Sequence, residues 1–304
     1  MSTKFYFLVL AFVFYPLISF AQQKQVDSLE KLLKVSKPDT TRLKLYLALG
    51  YACNIKDNLK YSEPAIALAD QLLKNTGDAV VRKKIFKQKA IAYGISRFYY
   101  EQQRDEKKAL VYRKKQLSIA LNIKDTVEIV NNFYALCSYY KAVGNFPEAL
   151  EVIQQGLSLS EAMHYKKGIA GFIGQIGGMY RDQGDTLQAI ENYQKSVAIL
   201  IELNDTLSIA SSLIRTGNLY SALHDTSMAY SYFNRAMHLY ELKKDKGGIR
   251  SIYNIIGLMY MENNDFKNAL SNFEKSLVLS KVLDDKSWDR AILGNIGISY
   301  AQLG

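Results

Sequence analysis

Apolar residues return at helical intervals over most of the chain. Across residues 206–239, Ile209, Leu213, Leu219 and Tyr220 form one stripe, His224-Asp225-Thr226 interrupts it, and Met228, Ala229, Phe233, Ala236 and Leu239 form a second. Spacings of three, four and seven are those of one face of an α-helix. The pattern therefore predicts two amphipathic helices joined by a short corner, with Leu203–Asp205 closing the helix before and Thr206 reading as the cap of the next. No run alternates as a strand would, so the chain is predicted to be all-α.

The pair recurs. Tyrosine returns every 40 residues at Tyr100, Tyr140, Tyr180, Tyr220, Tyr260 and Tyr300, which gives a structural reason for 22 tyrosines. Alanine keeps the same beat at Ala109, Ala149, Ala189, Ala229 and Ala269, and an Asx at Asp105, Asn145, Asp185, Asp225 and Asp265. Glycine does so at Gly177, Gly217, Gly257 and Gly297, and aspartate at Asp125, Asp205, Asp245 and Asp285. A fixed period of this length is the mark of a repeat array, in which each unit buries its apolar face only against its neighbours. The Asx residues stand where they can accept hydrogen bonds from the free N–H groups opening the next helix. Pro147 falls early in its helix, where a missing N–H costs least.

These positions resemble the tetratricopeptide repeat (TPR) family, whose pattern is W-x2-L-G-x2-Y followed by A-x3-F. The set Leu213, Thr216, Gly217, Tyr220, Ala229, Phe233 carries it, as do Tyr253, Ile256, Gly257, Tyr260, Ala269, Phe273. Ile173, Ile176, Gly177, Tyr180, Ala189, Tyr193 match it too, and Phe133, Leu136, Cys137, Tyr140, Ala149, Ile153 more loosely. The resemblance implies a right-handed α-solenoid over residues 39–304, preceded by a lead-in helix over 22–38. Two features depart from the family: the period is 40, not the usual 34, and no proline ends the second helix. The unit from Val80 to Asp125 is degenerate, with Arg97 at the glycine position and Arg113 at the aromatic one. A pair over Thr40–Ile55 and Asn58–Lys74 keeps the helical period outside this register. Lys286–Leu303 reads as a first helix without its second, which leaves Leu293, Ile296 and Tyr300 uncovered and suggests that the natural chain continues.

Composition changes the picture at the N-terminus. Lys4, the apolar run Phe5–Phe20 and the small residues of Ser19-Phe20-Ala21 fit a secretory signal peptide over residues 1–21. The run is short for a membrane core, which needs about 20 apolar residues. The expectation is export, with a mature chain beginning at Gln22 on the periplasmic or extracellular side. Length would suggest two domains, but that rule assumes compact folds and fails for repeats. Cys53 and Cys137 lie on helices two repeats apart, too far for a disulfide, and read as small buried packing residues.

Without the leader, 38 basic residues face 29 acidic ones, a charge of +9. Residues 82–115 hold twelve Lys/Arg against three acids, so the surplus sits there. In an exported protein such a block suits an acidic partner or an anionic surface rather than nucleic acid; a solvated lysine-rich face would look the same.

No catalytic signature is found. His164, His224 and His238 lack a second ligand at metal spacing, and no cofactor motif occurs. The chain is expected to be non-catalytic, without metal or cofactor, and to bind a protein or peptide. An input domain of a membrane histidine kinase or related regulator is the alternative the resemblance allows. In that family one face of each first helix lines a concave groove, here Asn131, Tyr134, Ser138 and Lys141, then Arg181, Ser211, Asn218, Ser251 and Asn254. Gly171, Gly174 and Gly178 share that face of their helix. They form either a trough for a ligand backbone or a tight packing seam. The Lys/Asn set with which chaperone-tail-binding members clamp a carboxylate is not assembled.

Overall fold

The computed structural model describes residues 22–304, so the expected leader lies outside the described residues. Helix α1 (22–35) is followed by α2 (Thr40–Ala52), a 3-10 turn (Ile55–Asp57), α3 (Asn58–Asn75) and α4 (Ala79–Gln102). Then come α5 (Glu106–Asn122), α6 (Thr126–Ala142), α7 (Phe146–Ala162), α8 (Lys166–Asp182) and α9 (Thr186–Glu202). The remainder are α10 (Thr206–Ala222), α11 (Thr226–Leu242), α12 (Lys246–Glu262), α13 (Phe266–Val282) and α14 (Lys286–Leu303). Among the described residues there is no strand. The chain divides into two compact units, one through Ala149 and one over Leu150–Gly304.

From α5 to α13 every helix has 17 residues. Each connection is a three-residue turn, so the backbone repeats every 20 residues while the sequence repeats every 40. The turn after α9 shows why. Asn204 takes a left-handed φ of 53°, its N–H donates to Ile201 O at 3.0 Å, and the Asp205 N–H donates to Leu200 O at 3.1 Å. Two orphan carbonyls of α9 are thereby satisfied in a Schellman closure. Asp205 then turns its side chain forward, accepting from the Ser208 N–H at 3.2 Å. One residue thus finishes a helix and caps the next. The cap of α10 is Asp205, and Thr206 is its first helical residue, one position from the sequence assignment.

The same side-chain cap recurs at Asp105, Asp125, Asp185, Asp225, Asp245, Asp265 and Asp285. Tyr165 takes the place before α8 without a side-chain cap bond. The left-handed residue before each cap is glycine only at Gly144 and Gly184; elsewhere it is Arg104, Lys124, His164, Asn204, His224, Lys244, Asn264 or Asp284.

In the pairs α8–α9, α10–α11 and α12–α13 the two helices close on glycine. A Cβ on Gly217 would fall 2.6 Å from the Phe233 ring, and one on Gly257 equally close to Phe273. Both phenylalanines are fully buried. Ala229 is buried on the same interface, and Tyr220 stacks on Tyr232 at 5.4 Å between centroids. Tyr220 itself is only half-buried, so the later aromatic fills the space and the tyrosine seals its edge. Burying an aromatic side chain of this size supplies about 1.5–3 kcal/mol at each such contact. The seam carries polar pins 80 residues apart: Gln116 donates to Ala90 O, Ser196 to Ala170 O and Ser276 to Arg250 O, at 3.1, 2.8 and 2.9 Å.

The first unit is less regular. Its α2, α3 and α4 enclose their own cluster around Leu43, Ala65, Leu68, Ile85 and Ile95, and α1 packs Val26 against Leu49 and Tyr61. Tyr61 Oη donates to Glu30 at 2.6 Å and Lys60 pairs with the same carboxylate at 2.8 Å, tying the lead-in helix down. Cys53 and Cys137 are both buried free thiols.

Candidate ligand-binding groove

The first helices α8, α10 and α12 each pack one face against their repeat partner, α9, α11 and α13, and leave another face for the candidate groove. Side chains on that second face are in different states. On α10, Asn218 is exposed, and Ser211 is exposed with its hydroxyl donating to Leu207 O at 3.0 Å. On α12, Ser251 donates to Gly247 O at 3.0 Å, and Asn254 Oδ1 accepts from Asn295 Nδ2 of α14 at 3.4 Å. This amide contact joins two successive first helices. Sequence spacing missed it because Asn254 and Asn295 are 41 residues apart, one off the period.

Arg181 at the end of α8 folds back on Asp182 through Nε and a terminal nitrogen, at 3.0 and 2.6 Å. That contact, set against partial burial, holds its guanidinium above the ordinary value. In the first unit, Asn131 and Ser138 are exposed on α6, and Tyr134 and Lys141 are half-buried.

On the glycine face of α8 the packing alternative holds at Gly174. Gly174 and Gly178 are buried, and Gly171 is half-buried. A Cβ on Gly174 would meet Ser196 Oγ of α9 at 3.5 Å, an ordinary van der Waals contact. Gly174 therefore belongs to the α8–α9 seam and not to an open trough. Helix spacing put the three glycines on one face but could not say which neighbour that face meets.

Ion pairs between successive first helices also follow an 80-residue spacing. Lys87 reaches Asp125 at 2.8 Å, and Lys167 reaches Asp205 at 2.7 Å. At the next place Gly247 has no side chain, and Arg250, one turn on, reaches Asp285 at 2.9 Å while lying 4.3 Å over the Trp288 ring. The lysine contact holds the Asp125 and Asp205 carboxyls below their ordinary values. These capping aspartates are structural, as the periodicity implied.

Much of the basic block at 82–115 is spent inside the fold. Arg82 donates to Leu73 O and Thr76 O at the end of α3. Lys87 and Lys108 pair with Asp125 and Asp105, and Lys89 with Asp70. Arg97 and Arg113 share Glu101. Lys83, Lys84, Arg104, Lys107, Lys114 and Lys115 stay exposed. Among the described residues no three His, Cys, Asp or Glu side chains gather as a metal site, and no helix is long and apolar enough to cross a membrane.

Residues 169–241 match the tetratricopeptide repeat family model. No curated protein matches the chain by sequence. Among solved structures, aspartyl phosphate phosphatase F from Bacillus subtilis aligns with a TM-score of 0.63 at 16% identity, over 94% of this chain and 77% of that one. BtubC (BKLC) from P. vanneervenii aligns at 0.61 and 15%, over 77% and 93%. The apo form of RapI aligns at 0.54 and 15%, over 86% and 98%. At such identities the likeness shows the fold, an α-solenoid of helix pairs. With the Gly217–Phe233 contact, the family match identifies residues 169–241 as tetratricopeptide repeats, and the rest of the chain resembles them in fold.

Proposed function

We propose that the chain is an exported, non-catalytic scaffold that binds a protein or peptide along the first-helix faces of its repeats. Tetratricopeptide repeats generally bind such partners. The observation that carries the reading is the division of labour on α10 and α12. One face is sealed by Phe233 and Phe273, while the groove face keeps Ser211, Asn218, Ser251 and Asn254 at the surface or half-buried. Short polar side chains in a row can meet the free N–H and C=O groups of an extended peptide. The exposed lysines and arginines of residues 82–115 would favour an acidic partner, by steering more than by tight contact. Export rests on the Lys4, Phe5–Phe20 and Ala21 pattern.

The test is site-specific photocrosslinking in the periplasm of an expressing bacterium, with a crosslinker at 218 or 254 and a control at 195. Lys195 lies on α9 and pairs with Glu191 at 2.8 Å, away from the groove face. The reading expects the same protein bands from 218 and 254 and none from 195. Equal yields at all three, or retention of the chain in the cytoplasm, would overturn it.

A further inference from the structure

The first unit holds a cavity of about 510 Å3 between α4, α5 and α6, a size within the range of roughly 300–1,000 Å3 typical of small-molecule sites. None of the groove residues named above lines it. Ile91, Ile95 and Phe98 of α4 make one apolar wall, and Ile119 of α5 with Ile123 just past its end makes the other. Ile91 and Phe98 remain 38% and 42% exposed, so the fold does not cover this wall itself. Gly94 keeps the floor low: a Cβ there would come within 3.0 Å of Gln116 Nε2.

The two ends differ in charge. At one end Lys87 and Asp125 neutralise each other at 2.8 Å, with Glu128 beside them. At the other, ten residues and about 15 Å along α4, stands Arg97. Its terminal nitrogen donates to Glu101 Oε1 at 2.7 Å, and Arg113 donates to that same oxygen at 2.9 Å. Two guanidiniums share one carboxylate. Burial and the neighbouring Arg97 both push the Arg113 guanidinium below its ordinary value. Arg97 Nε is buried with no hydrogen-bond partner, although a quarter of the side chain stays open. Two partly buried guanidiniums on one bridging carboxylate are costly to hold, and a further charge-assisted bond from Arg97 to an anion relieves the excess.

We propose that this cavity binds an amphipathic monocarboxylate, its chain against Ile91, Ile95 and Phe98 and its carboxylate on Arg97. The anion supplies the countercharge the fold withholds, and the tail covers the wall the fold leaves bare. Glu128 at the far end repels a second carboxylate, so the site selects for one acidic end.

Calorimetric titration of the purified chain with dodecanoate, dodecanol and dodecanedioate, below micelle formation, tests the assignment. Dodecanoate should bind one to one, at least tenfold tighter than either of the others. Arg97→Gln should weaken dodecanoate at least tenfold and leave dodecanol unchanged, which also checks that the variant is folded. Ile91→Glu, at a partly exposed wall position, should lose both. No saturable binding of dodecanoate, equal binding of acid and alcohol, or an Arg97→Gln variant that binds like the parent would each overturn the proposal.

Discussion

The α4–α5 pair and the α10–α11 pair stand in the same register of the repeat and are closed by different physics. In the second, Gly217 lets the helices approach and a fully buried Phe233 fills the gap. In the first, Arg97 stands at the glycine position and Arg113 at the aromatic one, and Glu101 bridges them. The corner is nonetheless the same. Each pair is turned by an aspartate cap, Asp105 in one and Asp225 in the other, each accepting the N–H three residues on. The corner geometry is therefore set by turn chemistry, and the interior between two helices is free to vary. An apolar interior contributes stability; a charged one leaves donors over for something else.

The largest expected effect lies in the apolar pair. Phe233→Ala should cost about 3–5 kcal/mol, as truncation of a fully buried aromatic does, read from the denaturant midpoint. Arg113→Ala in the other pair should cost less, since Arg97 and Glu101 remain paired. Replacing both charges, Arg97→Gly with Arg113→Phe, should restore the apolar contact. That double variant should exceed the sum of its single changes by about 1–3 kcal/mol, because contacting residues do not act independently. Additivity would show that the two pairs are not closed at equivalent points.

Next is Gly217→Ala. Alanine is the better helix former by up to about 1 kcal/mol. Here its Cβ would stand 2.6 Å from a ring that has nowhere to go, and overpacking of this kind costs about 1–3 kcal/mol. Thermal melting should show a net loss; a gain would mean that the helices are less closely apposed than the structure has them.

Much of this architecture was legible in the residues, and what was not has a physical cause. The 40-residue period, the glycine–aromatic contacts and the Asx caps are side-chain properties, so they recur as letters. The 20-residue backbone repeat is not. Its signature is a left-handed residue, and Lys124, Asn204 and His224 all adopt it, at a cost of roughly 1–2 kcal/mol for a non-glycine residue. The degenerate unit was visible at Arg97 and Arg113, but their meeting on Glu101 depends on how two helices face each other. The same holds for Gly174, whose neighbour Ser196 lies one helix further on.

The caps should behave alike in both regions. Asp105→Ala and Asp225→Ala should each cost about 1 kcal/mol, and a marked inequality would break the claim that the turns, not the cores, set the register. Asp125 and Asp205 add a pH dependence. Their carboxyls are held below the ordinary value by Lys87 and Lys167, so the unfolded chain protonates them first. The resulting stability is fully present above the unfolded value of about 3.9 and fades as pH falls through the folded one. Asp205→Asn should therefore lower the melting temperature at neutral pH and flatten its decline in acid.

The smallest effect separates the regions most finely. Gly94 and Gly174 are 80 residues apart on equivalent helices, and each faces a polar pin of the next helix, Gln116 and Ser196. A Cβ at 174 would meet Ser196 Oγ at 3.5 Å, which asks nothing of the neighbour. At 94 it would come within 3.0 Å of Gln116 Nε2, the atom that donates to Ala90 O. Gly174→Ala should thus gain most of the helix-propensity difference, somewhat under about 1 kcal/mol. Gly94→Ala should gain little or nothing, because the amide must move and its bond to the α4 backbone weakens. Differential melting of the two variants reads this directly. If Gly174→Ala destabilises the fold, the α8–α9 seam is tighter than its geometry indicates; if both gain equally, the Gln116 pin contributes nothing to holding α4 against α5.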